Sequence, residues 1–314
     1  MNREKARTSA ASCTGVAWAG QEIVVAVDVG GTVIKALAVG GDGQVLCRVR
    51  MDTAAGEGGD AVLVRIAAFC EDLAARIQAS SGRPPNAFGI AVPGVVDEAA
   101  GVARFAANIG WRDVPLRNVL ARRLGVPVAL SHDVRAAGIA EARFGAARGA
   151  HDFLLLQIGT GIAGALVLGG QPYAGAHFLG GEIGHVPAAP LAYPGGPAEP
   201  AAMAGRGSTA VPRLRCGCGG FGCLETVASA AALARRYQNE SGGRHADAAE
   251  VIRLAGTGDP TAAGIWRDAI SALAGTLAWY QGVLDPDLVV IGGGLSRAGA
   301  ALLGPLRREL SALL

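Results

Sequence analysis

Cys216, Cys218 and Cys223 fall within eight residues, in the run CGCGGFGCLE. Three thiols so close together suit a metal better than a disulfide framework, and a zinc tetrahedron needs one more ligand. His185, in GGEIGH just before a proline-rich stretch, is the natural fourth ligand among the five histidines. A closed Cys3His site has no open coordination position, so such a zinc is a structural staple; the plainer alternative is three buried thiols without a ligand. Glu182 and Glu225 flank these residues and would be fixed together with them.

Glycine turns offer a second chemistry. In Asp28-Val29-Gly30-Gly31-Thr32 the glycines directly follow an apolar run. Backbone N–H groups there can close on an anion, with the threonine hydroxyl adding a hydrogen bond. Asp28 could hold Mg2+ through water, since magnesium gives up its waters reluctantly. A tight hairpin turn is the plainer alternative. Gly159-Thr160-Gly161 and Gly292-Gly293-Gly294 repeat the pattern. None of the three matches a Walker loop or a dinucleotide fingerprint, but three such turns together are better explained by a nucleotide than by coincidence. A third chemistry is carried by Asp133, at the end of the apolar run VPVAL and after Ser131-His132. A carboxylate there could take the proton of a hydroxyl attacking a γ-phosphate. Spacing alone favours a cap on the following helix.

The elements that position these groups alternate between strand and helix. IVVAVDVGG, VIKALAV and VLCRVR read as strands, and a helix from about Asp60 to Ala79 presents Val62, Ile66, Phe69, Cys70, Leu73 and Ile77 on one face. AFGIAV and VPVAL are further strands, followed by a helix from about Val134 to Ala147. FLLLQIG, GTGIAG and ALVLGG then echo the opening strand–turn–strand. Between Pro187 and Pro212 lie six of the fifteen prolines, in what reads as an irregular surface excursion. A long helix from about Thr261 to Leu284, the buried strand DLVVIGGG and a short helix end the chain. The pattern implies an α/β protein of two lobes with a cleft between them.

Composition agrees with this. Of 314 residues, 51% are hydrophobic and 17% charged, which excludes a disordered chain. A net charge of +2 excludes the electrostatic footprint of a nucleic-acid binder, and no apolar run is long enough to span a membrane. Arg3, Lys5 and Arg7 precede a weakly apolar stretch interrupted by Ser12, Thr14 and Gly15, which reads as a frayed tail, not a secretion signal. Clustered thiols in a metal site fit a reducing cytoplasm.

From about Ile23 to Leu310 the chain resembles the ROK family of sugar kinases and sugar-responsive repressors. The resemblance is carried by DVGGTVIK (28–35), VPGVVD (92–97), NIGW (108–111), HD (132–133), GTGIAG (159–164), GGEIGH (180–185), CGCGGFGCLE (216–225) and VVIGGGL (289–295). It implies an actin-like, ribonuclease H-like two-lobed fold with an interlobe cleft. The expected parts are a tail at 1–22, a small N-terminal lobe at 23–132 and a large zinc-bearing lobe at 133–314. The implied activity is phosphorylation of a hexose by ATP with Mg2+, glucose at its 6-hydroxyl being the commonest case. N-acetylmannosamine, N-acetylglucosamine and fructose are the neighbouring alternatives, and a silent sugar-binding regulator is the non-enzymatic one. Asp133 takes the place of the catalytic base, overriding the cap reading. Asn108, His132, Asp133, Glu182, His185 and Glu225 would contact the sugar, with His185 shared with the structural zinc. Asp28, Gly30, Gly31, Thr32, Lys35, Thr160, Gly161 and Gly293 would surround the nucleotide and its magnesium. No membrane or nucleic-acid partner is implied, and a cytoplasmic homo-oligomer is expected.

The sequence departs from the family pattern in three ways. His132 stands where the family usually has a sugar-binding asparagine. Thirty residues separate His185 from Cys216, more than is usual. The chain ends at Leu314, where relatives continue through a strand and a helix that returns to the first lobe, so that helix is expected to be lacking. Only 27 residues precede Asp28, too few for a DNA-binding domain of the repressor kind.

Overall fold

The computed structural model describes residues 22–188 and 214–314. All of the expected N-terminal tail but Glu22, and all of the proline-rich excursion but Pro187 and Ala188, lie outside the described residues. The chain divides into two compact units, one ending at Ala137 and the other running from Gly138 to Leu314.

In the first unit, β1 (Ile23–Val29) alternates strictly, burying Val25, Val27 and Val29 and exposing Val24, Ala26 and Asp28. It pairs antiparallel with β2 (Val33–Gly40), which pairs antiparallel with β3 (Val45–Asp52). On its other side β1 runs parallel to β4 (Ala87–Val92), and β4 parallel to β8 (Val128–His132), giving the order β3-β2-β1-β4-β8. Parallel neighbours need crossovers. The first includes α1 (Gly59–Ser81), the second α2 (Leu116–Leu124). All six residues expected on the inner face of α1 are buried, each large apolar side chain contributing roughly 1.5–3 kcal/mol. Burial, with the neighbouring Glu71 carboxylate, pushes the Cys70 thiol up to about 12 and leaves it inert.

Two features of this unit were not anticipated. β5 (Val95–Asp97), β6 (Val102–Ala106) and β7 (Trp111–Val114) form a separate antiparallel meander, and α2 buries only Leu116 and Leu120. Segments this short carry too few apolar positions to show a period. A long-range bond ties the meander down: the buried Trp111 donates its Nε1–H to the Gly59 carbonyl at 2.9 Å.

In the second unit, β9 (Phe153–Ile158) and β10 (Ile162–Leu168) form an antiparallel hairpin, and β12 (Leu288–Gly292) lies parallel to β9. This is the arrangement of β1, β2 and β4, so the echo seen in the sequence is topological. The short β11 (Gln171–Pro172) completes the sheet. Helix α3 (Asp133–Phe144) joins the two units and stops before Gly145, short of the expected Ala147. α4 (Glu225–Ala228), α5 (Ala230–Glu240), α6 (Ala248–Gly256), α7 (Pro260–Leu284) and α8 (Ala300–Leu313) supply the remaining core. α7 begins as its sequence dictates: Asp259 accepts the Ala262 N–H and Pro260 sits in the first turn, where its missing N–H costs nothing. No described helix is long and apolar enough to cross a membrane.

Candidate active site and metal centre

In the first unit the carboxyl ends of the parallel strands β1, β4 and β8 share one edge, with Asp28 opposite Ala91 and Ala91 opposite Ser131. Open α/β sheets bind ligands at that edge. The glycine turn between β1 and β2 is both a hairpin and a shaped cradle. Gly30 N–H donates to Val33 O at 3.0 Å, while Thr53 donates its hydroxyl to Gly30 O at 2.6 Å and its N–H to Thr32 O at 2.8 Å. Thr53 is fully buried and was not anticipated; it follows the end of β3, whose pairing with β2 sets Asp52 opposite Val33 and so brings Thr53 to the turn. Gly31 lies against Asn108, where a Cβ would come within 2.9 Å of the side-chain nitrogen. The NIGW segment and the first glycine turn are thus neighbours. Thr32 and Asn108 are exposed, as is Asp28, whose carboxylate is 3.6 Å from Lys35 Nζ.

At the end of β8, Asp133 opens α3. Its Oδ1 accepts the N–H of the adjacent Val134 at 2.7 Å. The residue that reaches the N–H three positions on is His132, whose Nδ1 accepts from Arg135 at 3.4 Å. The cap that spacing assigned to Asp133 therefore falls to His132. Beneath them lies a network of groups brought together from distant segments. Arg135, 1% exposed, donates Nε–H to Glu98 Oε1 at 3.0 Å and Nη2–H to Val96 O at 2.9 Å. Glu98 also accepts the Ser131 hydroxyl and the His132 N–H, each at 2.8 Å. Partial burial works against the Glu98 charge, but these donors prevail and hold its carboxyl below the usual range. Glu98 and Arg135 were missed in the sequence, where each reads as an ordinary surface charge.

A cavity of about 730 Å3 lies on the open face of this sheet, lined in part by Asp28, Lys35, Arg50 and Ser131. Gly30, Gly31, Asn108 and Asp133 are not among its lining residues. It marks a mainly apolar face of the sheet.

In the second unit the two remaining glycine turns sit side by side, because Gly292 on β12 pairs with Gln157 on β9. Gly293 has φ +78°, and a Cβ there would collide with the Ile158 backbone. Its glycine is required by packing whether or not a ligand approaches. Gly161 faces Glu225: a Cβ would strike that carboxylate, whose Oε2 accepts the Ile162 N–H at 3.0 Å. Thr160 is exposed at the tip of the same turn.

His185, Cys216, Cys218 and Cys223 converge, their candidate ligand atoms all within 4.8 Å of one another. Cys216 Sγ lies 3.5 Å from His185 Nδ1, and Cys218 Sγ lies 3.7 Å from Cys223 Sγ. A zinc–sulfur bond of ~2.3 Å gives a tetrahedral S···S edge of about 3.8 Å, so the donor set fits zinc in kind and in size. The backbone builds it as a knuckle: Cys216 N–H donates to Gly220 O at 2.8 Å, and Pro187 bridges to Cys223. The Gly220 N–H holds the Cys218 thiol below its ordinary value, whereas burial and then the neighbouring thiols push Cys223 up to about 12. A dication among them would reverse the second effect. His185 Nε2, on the other side of the ring, faces Glu182 Oε2 at 3.7 Å, the carboxylate–histidine arrangement that orients metal ligands.

Comparison with known proteins agrees with this construction. The chain is 35% identical over 302 residues to a glucokinase of Thermotoga maritima, covering 91% of this chain and 86% of that one. It superimposes on a ROK hexokinase from Thermus thermophilus with TM-score 0.69 at 35% identity, covering 92% and 89% of the two chains. A ROK glucokinase from Streptomyces griseus, solved with glucose and AMPPNP, matches with TM-score 0.70 at 27% identity over 93% and 89%. The fold is the two-lobed, actin-like and ribonuclease H-like fold of ROK sugar kinases. The profile of the ROK family spans residues 24–314, and the chain belongs to that family.

Proposed function

We propose that this chain is a sugar kinase that transfers the γ-phosphoryl group of ATP to the 6-hydroxyl of a hexose, glucose first. The observation that carries the reading is the placement of Asp133 at the carboxyl end of β8, on the edge that also presents Asp28 and the Gly30–Thr32 turn. The family membership and the glucokinase relatives support it.

Phosphoryl transfer asks mainly for positioning and charge stabilisation. In this reading Asp133 accepts the proton of the sugar hydroxyl as its oxygen bonds to the γ-phosphorus, and the bond to the ADP oxygen breaks. Base help of this kind is worth ~10²–10⁴ in rate. Asn108, Glu182, His185 and Glu225 bind sugar hydroxyls. The N–H groups of Gly30, Gly31 and Gly161, with Thr32, Thr160 and Lys35, bind phosphates, and Gly293 borders the nucleotide. Asp28, exposed and beside Lys35, would hold Mg2+ through water, and the ion would supply neutralisation of phosphate charge. The Cys3His cluster would hold zinc as a staple that fixes His185. We place the enzyme in the cytoplasm, where thiols stay reduced, as a homo-oligomer.

The test is ADP release from MgATP over a panel of hexoses and N-acetylhexosamines, with sugar binding followed in parallel. Turnover with glucose, abolished in Asp133→Asn while glucose still binds, is the expected result. Sugar binding without ADP release would instead make the chain a sugar-binding regulator.

A further inference from the structure

His132 is 4% exposed, so its ring has little surface to offer a sugar, the role its position implies in the family. Each of its ring nitrogens nevertheless has a polar neighbour. Nδ1 accepts the Arg135 backbone N–H at 3.4 Å. A ring nitrogen that accepts carries no hydrogen, so a neutral imidazole holds its proton on Nε2. Nε2 lies 3.3 Å from Asp133 Oδ1. The charged groups that bear on the ring are Asp133, Arg135 and Glu98. Burial, and then the Arg135 guanidinium, push its pKa down to about 4 against the opposing pull of Glu98. The ring is therefore neutral at physiological pH, in the state that can donate from Nε2.

We propose that His132 is a positioning residue for the base: its Nδ1 locks onto the first turn of α3, and its Nε2–H donates to Asp133 and sets the rotation of that carboxylate. The inference rests on the sugar-kinase reading, since Asp133 must be the base for its orientation to matter to turnover. A carboxylate that swings between rotamers spends time out of line with the hydroxyl, and misplacement by about 1 Å can cost on the order of 10²-fold in rate. A family asparagine would reach the Nδ1 position and cap the helix, but is too short to place a donor at the Nε2 position.

Three variants separate these duties. His132→Ala removes both contacts, His132→Asn restores the cap alone, and His132→Gln places an N–H donor near the Nε2 position. In Ala and Asn, kcat is expected to fall roughly 10- to 100-fold, with KM for the sugar changed less than about threefold, and Gln should recover most of the loss. A rise in KM at unchanged kcat would overturn the proposal in favour of direct sugar contact, and full recovery by Asn would reduce His132 to a cap. Should the Ala variant fail to fold, the Asn–Gln pair decides. A second readout needs no activity: long-range 1H–15N spectra of 15N-histidine-labelled protein, with His132 assigned by its loss in His132→Gln. A neutral Nε2–H tautomer at pH 7 is expected; an Nδ1–H tautomer or a charged ring overturns the proposal. If the wild-type chain phosphorylates no sugar, the kinase reading fails while the spectrum still reports whether this ring is set to donate.

Discussion

Glu225 Oε2 accepts the backbone N–H of Ile162 at 3.0 Å, across 63 residues of sequence, so the first residue of α4 is pinned to the end of the second glycine turn. The same carboxylate occupies the space a Cβ on Gly161 would need. The turn and the acid form one unit, and neither can be changed alone.

Gly161→Ala therefore should act through Glu225. The added methyl pushes the carboxylate off the Ile162 N–H and disturbs both the proposed sugar contact and the proposed phosphate-binding turn. We expect kcat/KM for the sugar to fall at least tenfold, on the scale of a displaced positioning group, with a small change in Tm. Steady-state kinetics beside a melting curve checks this; a large Tm loss with normal kinetics would contradict it.

Glu98 and Arg135 form a pair of another kind. Arg135 is fully buried, and Glu98 is the acid that neutralises it. Removing one member of a buried pair leaves an uncompensated charge and costs roughly 3–5 kcal/mol. Because the Glu98 side chain remains one-third exposed, at 33%, the lower end applies. Glu98→Ala should thus lower unfolding free energy by about 3 kcal/mol in urea titrations, whereas Arg135→Met with Glu98→Gln should recover part of the loss.

His132 also makes stability pH-dependent. Its folded-state pKa is lowered to about 4, while the unfolded chain titrates near 6.5. Between those values the unfolded state binds the proton that the folded state refuses, so stability is full above pH ~6.5 and falls as pH drops toward ~4. Over that window the ring accounts for roughly 3 kcal/mol, at ~1.4 kcal/mol per unit. Urea titrations at pH 7.5 and 4.5 should show a smaller acid loss in His132→Gln than in the wild type. Equal losses would show that the histidine is not the group responsible.

Metal removal tests the Cys3His centre. Structural zinc contributes several kcal/mol to folding, and ~1 kcal/mol moves Tm by roughly 2–4 °C in a domain of this size. A strong chelator, or Cys223→Ser, should lower Tm by at least about 10 °C. Elemental analysis of the untreated protein should find one zinc per chain, and its absence there would remove the staple from the reading.

Much of this was legible without a structure. The inner face of α1, the strands that end in glycine turns, the topological echo between the halves and the four candidate zinc ligands all rest on contacts near in sequence or on residue types with few alternative uses. Periodicity reports local burial, and thiols so closely spaced have little else to do. Other features were not legible. Arg135 looks like any charge in a helix, and its burial follows from partners 37 and 39 residues away. The exchange of capping between Asp133 and His132 turns on side-chain directions that spacing does not encode. Residue type and local spacing determine which chemistry is available, because they set propensity and ligand character. Tertiary structure decides which groups are held in place to perform it, because that depends on long-range pairing of strands and on charges neutralised from distant segments.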